Sequence, residues 1–425
     1  MTLRLTAQFF VSQMLPSANW FFARLSPSTV VRRYTGSLLA QFRRRYNLSP
    51  LILTLAVHNL FYDRWRFIAT IVGIVFSIVL VTVQMGLFVS FSHMVATTID
   101  HAPADLWIVP KGTRCFEDPA PLDESERFRA LSVKGVADAV SIVVGFAEWQ
   151  ASSGKRTPIF IIGSPLEPPG LHAWNLVAGS VRALAIPDAV AIDQTYFKQL
   201  ESKGMLDIAE INGKRAQVRA VTKGIRSFTT MPAVFVPLNR ARSYIGMAPD
   251  KITFLLVHLA PEAKLFDVRS RLQRALSNVE VLTPTEFASR SRSFWLFGTG
   301  AGAGLFAGAV LGLIVGTVIV GQTLYSSTID NLYEFAVLRA IGSSSAYIHA
   351  VIIIQAVISA VIGFFIAAAV GLAIVQATAN TALPVLMTPG LTVILFVVTI
   401  AMCTLSAISA IVKVTRIDPA ILFQS

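Results

Sequence analysis

Phe67-Ile-Ala-Thr-Ile-Val-Gly-Ile-Val-Phe-Ser-Ile-Val-Leu-Val-Thr-Val-Gln-Met-Gly-Leu-Phe88 contains no charged residue, and its apolar character continues to about Val95. A helix needs about 20 apolar residues to cross a bilayer. Three more stretches meet that length, at about Phe294–Gln322, Tyr347–Gln376 and Thr388–Val412. The composition agrees, with 54% hydrophobic and 14% charged residues against about 25% charged in soluble domains. The reading is a membrane protein with four transmembrane helices in a 1+3 arrangement and a large water-facing domain between the first and second.

Charge sets the expected orientation. From Met1 to Arg66 there are nine arginines (Arg4, Arg24, Arg32, Arg33, Arg43, Arg44, Arg45, Arg64 and Arg66) and one acid, Asp63. Basic flanks stay on the cytoplasmic side and meet anionic headgroups. This places both termini in the cytoplasm and 97–293 outside. Nucleic-acid binding is set aside, because the arginines lie within reach of a span. The expected divisions are a basic extension (1–50), an amphipathic interfacial helix (51–66), span one (67–96), the outer domain (97–293), span two (294–322), a cytoplasmic loop (323–346), span three (347–376), span four (388–412) and a tail (413–425). Phe9–Leu15 is too short to span and lacks a small-residue cleavage site, so a secretory signal is not expected. A flexible tail, an interfacial helix and an organellar transit peptide stay open for the first fifty residues.

The outer region reads as mixed α/β. Strands are expected at Asp105–Val109, Ala139–Trp149, Pro158–Ile162, Val190–Asp193, Ala216–Val221 and Ile252–Leu259. Helices are expected at Asp123–Leu131 and Glu262–Ser277, the latter from Leu265, Val268, Leu272 and Leu276 at helical spacing. Leu166–Pro249 is read as an inserted subdomain.

Span two carries Gly300, Gly304, Gly308, Gly312 and Gly316 at every fourth position. In lipid, where apolar surface gains little from pairing, small residues let backbones approach and attract by packing. The stripe predicts a tight helix contact, at a homodimer seam with span one or within one subunit. Gln84, Gln322 and Gln355 lie inside spans, where polar groups face protein; interhelical hydrogen bonding is the expectation. Cys115 and Cys403 are not expected to pair. No catalytic residue, metal-ligand spacing or nucleotide loop is found, since Ser153-Gly-Lys155 lacks the phosphate-loop spacing and the following hydroxyl.

The cytoplasmic loop contains Tyr333-Glu-Phe-Ala-Val-Leu-Arg-Ala-Ile-Gly342. It reads as a short helix with Gly342 as C-cap. This stretch resembles the signature of FtsX/MacB-type ABC transporter permeases. Gly73 to Phe88 is similar to the first span of the DevC branch, and Arg416-Ile-Asp-Pro-Ala420 to the family's terminal element. The resemblance covers about Pro50 to Ser425, and the extension before Pro50 departs from it. It implies a homodimeric permease in a bacterial inner membrane. It also implies a separate ABC ATPase carrying ATP and Mg, a membrane-fusion adaptor and an outer-membrane channel. Tyr333, Glu334, Phe335, Leu338, Arg339 and Gly342 would contact the ATPase, and the chain itself would not be an enzyme. Lipid or glycolipid export by mechanotransmission is the leading expectation. Drug, peptide or lipoprotein export, FtsX-like control of a cell-wall hydrolase and, least favoured, secondary transport are the alternatives.

Overall fold

The computed structural model describes residues 50–331, 333, 334, 337 and 343–414. The expected extension at 1–49 and the end of the tail lie outside them. Four described helices are long and apolar enough to cross a membrane. Helix α1 (Pro50–Tyr62) leads into α2 (Arg64–Asp100), which contains span one. The outer domain follows, and its α-helices longer than one turn are α3 (Ser125–Leu131), α4 (Leu238–Ile245) and α5 (Leu265–Ala275). Helix α6 (Pro284–Ser293) then leads to the remaining spans, α7 (Ala301–Asp330), α8 (Ser345–Thr378) and α9 (Pro389–Val414).

The start expected for span two is corrected. Phe294–Gly298 forms a single π-helical turn, and Gly300 adopts φ +78°, a conformation open to glycine at little cost. Helix α7 starts only after that break. At its other end it runs past Gln322 through polar residues, where Thr323 and Thr328 donate their hydroxyls to the Ile319 and Leu324 carbonyls.

The chain forms two compact units. One gathers the described residues up to Ile71, Val318–Ala360 and those from Cys403 on; the other is Val72–Thr317 with Val361–Met402. In the first, Ala56 of α1 packs on Ala350 and Val351 of α8. Leu53, Val57 and Phe61 form an exposed apolar stripe one turn apart along α1.

The second unit holds a ten-stranded sheet and a two-stranded one. The strands are β1 (Leu106–Pro110), β2 (Leu122–Asp123), β3 (Val136–Gln150), β4 (Arg156–Ser164), β5 (Leu176–Gly179), β6 (Ala189–Asp193), β7 (Ile208–Ile211), β8 (Lys214–Thr222), β9 (Ala233–Pro237), β10 (Lys251–Ile252), β11 (Phe254–Leu259) and β12 (Val279–Leu282). The large sheet runs β12-β1-β11-β3-β4-β9-β6-β8-β5, with β7 bridging β3 and β8; β10 pairs with β2. Pairing is antiparallel except for β4 with β9 and β6 with β8. The expected inserted subdomain is corrected: β5 to β9 extend the same sheet. The strand expected across Ile252–Leu259 breaks at Thr253, whose hydroxyl bonds both the N–H and the carbonyl of Val144.

Successive side chains of a strand point to opposite faces, and both faces of this sheet are covered. Leu106, Ile108, Val143 and Ile161 face one core, which includes Ala130 of α3, Tyr244 of α4 and Leu272 of α5. Trp107, Val109, Val144 and Phe160 face the other, which includes Ala96 and Ile99 from the end of α2 and Phe287 from α6. The elements entering and leaving the membrane region therefore build the core of the outer domain. Phe254 is fully buried against Trp107, Phe116 and Phe287. Phe254→Ala should destabilise the domain by about 3–5 kcal/mol, read as earlier loss of protease resistance on heating the purified chain.

Candidate functional site

Three regions fix the long helices to their neighbours. The first is the corner between α1 and α2. Asp63 caps α2 by accepting the Arg66 N–H at 3.2 Å, which satisfies one of the open donors of a helix start. Its carboxylate also pairs with the Arg66 guanidinium at 3.4 Å, and Arg66 pairs in addition with Asp330 at the end of α7. The loop motif follows directly. Tyr333, Glu334 and Val337 are helical and exposed. Phe335, Leu338, Arg339 and Gly342 lie outside the described residues.

The second region is the helix seam of the other unit. Ser77 on α2 is fully buried and donates its hydroxyl to the Gly312 carbonyl at 2.7 Å. A methyl group on Gly316 would lie 2.2 Å from Ser77 Oγ and 2.8 Å from Met402 Sδ. One on Gly308 would meet the Gln84 side chain at 2.8 Å, and one on Gly312 would press on Leu80 and Val81. At these three positions close approach is made within the chain, as in the second of the two readings of the stripe. Gly300 sets the backbone break instead, and a methyl on Gly304 would meet nothing within 4 Å beyond its own turn of helix. Gln355 is buried and Gln84 is half-buried over Gly308, whereas Gln322 is exposed, against the expected protein-facing position.

The third region is the outer mouth of the spans. Helix α6 begins with a reciprocal cap, Thr283 with Glu286 and Pro284 at its first position, a pattern visible in the sequence. Arg292, at its end, donates to the Ser92 carbonyl and to Asp100 on α2, both at 3.1 Å. Trp295, in the π turn, donates Nε1–H to Glu117 at 3.1 Å and packs on Phe228, which meets Phe91 of α2. Arg226 donates to the Ala379 carbonyl in the turn after α8. The Leu386 N–H bonds the Gly86 carbonyl of α2. Burial lifts the Glu117 carboxyl from its ordinary 4.5 to about 7, outweighing the Trp295 hydrogen bond, which favours the charged form. Ser77, Arg292, Trp295 and Glu117 were not singled out in the sequence, because each acts through a partner distant in the chain.

Comparison with known proteins follows this geometry. A family model described as the MacB-like periplasmic core domain matches residues 67–275, and one described as the FtsX-like permease C-terminal matches 289–419. A Mycobacterium tuberculosis protein named as an uncharacterised ABC transporter permease is 24% identical over 374 residues, covering 87% of this chain and 98% of that protein. One from Mycobacterium bovis with the same description is 22% identical over 384 residues, covering 88% and 99%. Among solved structures, the periplasmic region of MacB from Actinobacillus actinomycetemcomitans matches at 9% identity and TM-score 0.34, covering 43% of this chain and 90% of that one. The extracellular domain of the ABC-type transporter YknZ from Gram-positive bacteria matches at 14% identity and TM-score 0.32, covering 42% and 99%.

Two outcomes test the geometry. Gly316→Ala forces Ser77 and Met402 apart and should cost about 1–3 kcal/mol, whereas Gly304→Ala, with open space for its methyl, should be neutral or stabilising by up to about 1 kcal/mol; thermal unfolding in detergent compares them. Glu117 supplies the second. Its folded-state proton affinity exceeds the unfolded one, so stability is highest at low pH, falls as pH rises from about 4.5 to about 7, and is flat above. Glu117→Gln should remove that slope in melting curves taken across the same range.

Proposed function

We propose that this chain, a member of the FtsX/MacB-type permeases of ABC transporters, is the membrane subunit of an exporter that turns ATP hydrolysis on a separate subunit into movement of its outer domain. Lipid or glycolipid is the proposed cargo class, and a membrane-fusion adaptor and an outer-membrane channel are the proposed further partners. Two copies of the chain would work together in a bacterial inner membrane, with both termini and the 331–344 loop in the cytoplasm.

One observation carries this reading: the outer end of α2 is part of the outer domain's own core, through Ala96 and Ile99. A domain hung on a flexible linker would ignore a shift of its helices. This one has a span running into it and a second tied to it, since Arg292 and Trp295 at the approach to α7 bond Asp100 and Glu117. Such rigid connections suit transmission of a helix displacement, with no need for cargo to pass between the spans. ATP and Mg would be held by the partner, and the residues proposed to receive its motion are Tyr333, Glu334, Phe335, Leu338, Arg339 and Gly342.

Leu338→Asp tests the assignment. In complexes extracted from native membranes in mild detergent, an ABC ATPase should co-purify with the wild-type chain and fall by at least about tenfold with the variant, at equal chain yield. Equal recovery would move the docking site elsewhere. Recovery of a cell-wall hydrolase in place of an adaptor would replace export with regulation.

A further inference from the structure

The corner between α1 and α2 encloses, with the end of α7, a cavity of about 450 Å³, within the size range of small-ligand sites. Its charged lining divides into two groups. Arg66 is occupied twice, by Asp63 and by Asp330. Arg64 and Glu334 line the same cavity and make no ion pair among the described residues. Asn59 lines it too; the residue is 9% exposed, and its side-chain amide nitrogen has no hydrogen-bond partner among the described residues. A buried N–H left unpaired is costly, so an acceptor at this position is favoured.

Three groups remain without a partner among the described residues: one cation, one amide donor and one carboxylate. Together they match a ligand that carries an anion and a cation a few bonds apart. The surroundings say where such a ligand comes from. Tyr62 and Trp65 line the cavity and are 80% and 84% exposed, and these residue types gather at the headgroup level of a bilayer. The apolar stripe of Leu53, Val57 and Phe61 faces outward on the same α1, as in a helix lying in the interface.

We propose that this cavity binds the headgroup of one phospholipid of the phosphoethanolamine type, with its phosphate on Arg64 and the Asn59 amide and its ammonium on Glu334. Arg64 and Asn59 supply N–H donors to phosphate oxygens, and charge-assisted bonds of this kind are the strong ones. Glu334 accepts from the ammonium, which a purely anionic headgroup lacks. The bound lipid then joins the start of span one to the helical turn that follows α7. It is a fixed component of the subunit, separate from any exported cargo; Glu334 then faces the lipid, the remaining loop residues keep the ATPase contact proposed above, and the assignment needs only that the chain is a membrane protein.

The test uses the full chain, purified without its ATPase and titrated with phosphatidylethanolamine or phosphatidylglycerol, with retained lipid counted by native mass spectrometry. Phosphatidylethanolamine should be retained about tenfold more strongly than phosphatidylglycerol, the size expected for one added charge-assisted contact. Arg64→Gln should weaken retention of both lipids, and Arg64→Lys should restore much of it. Glu334→Gln should weaken phosphatidylethanolamine by about tenfold and leave phosphatidylglycerol unchanged. Both side chains are exposed, so the variants should keep the wild-type melting temperature, which is measured alongside. Equal retention of the two lipids, or indifference to Glu334→Gln, overturns the proposal. So does unchanged lipid retention combined with lost ATPase recovery in complexes from membranes, which would make the cavity a protein contact.

Discussion

A helix of 37 residues, Arg64–Asp100, is about 55 Å long at 1.5 Å per residue, and lipid hydrocarbon covers only about 30 Å of it. The excess must be buried in protein or remain apolar in water. Here Val95, Ala96 and Ile99 are buried almost completely, the last two in the core on one face of the outer sheet. The other attachments at that end follow from this one. Asp100 receives Arg292, Phe91 receives Phe228, and His101 stacks on Trp174 at 4.3 Å. The outer domain is built around the end of a span.

Inside the spans a different constraint rules. Hydroxyls and amides in hydrocarbon must find partners within the protein, since water is absent. Thr82 and Thr399 return theirs to the preceding turn of their own helices. Ser77 instead crosses to the Gly312 carbonyl, which is possible only because Gly312 and Gly316 present no side chain to hold α7 away. Ile74 also lies close over Gly363 of α8, and Thr82 less closely over Gly371. Helix α2 is thus the member against which the glycine faces of two other spans close, and packing rather than hydrophobic exclusion supplies the attraction.

The approach to α7 combines a rigid piece with a break. The reciprocally capped α6 is fixed to α2 by Arg292, and the π turn after it is fixed by Trp295 to Glu117. Gly300 then interrupts the backbone before α7 begins. π turns inside helical segments are uncommon and occur frequently at functional sites. In this chain the turn places an indole over a carboxyl whose burial keeps its proton near neutral pH, so the contact that joins domain to span is also one that titrates.

The amino-acid order alone determined the features that depend on neighbours along the chain. The four spans follow from runs of apolar residues longer than a bilayer is thick. A strand with clear alternation, such as Lys214–Thr222, follows from the two-residue period of the pleat. The family followed from ten consecutive residues, Tyr333 to Gly342, together with the layout of spans. The short strands Leu176–Gly179 and Val279–Leu282 escaped because four residues carry too little pattern, and the ladder partners that stabilise them are remote in sequence. Tertiary structure alone decided what each glycine of span two does. A spacing of four puts five glycines on one face but does not say what lies opposite. Packing gave three of them to α2, one to a backbone break and left one open, since whether a missing side chain is used depends on the helix that arrives against it.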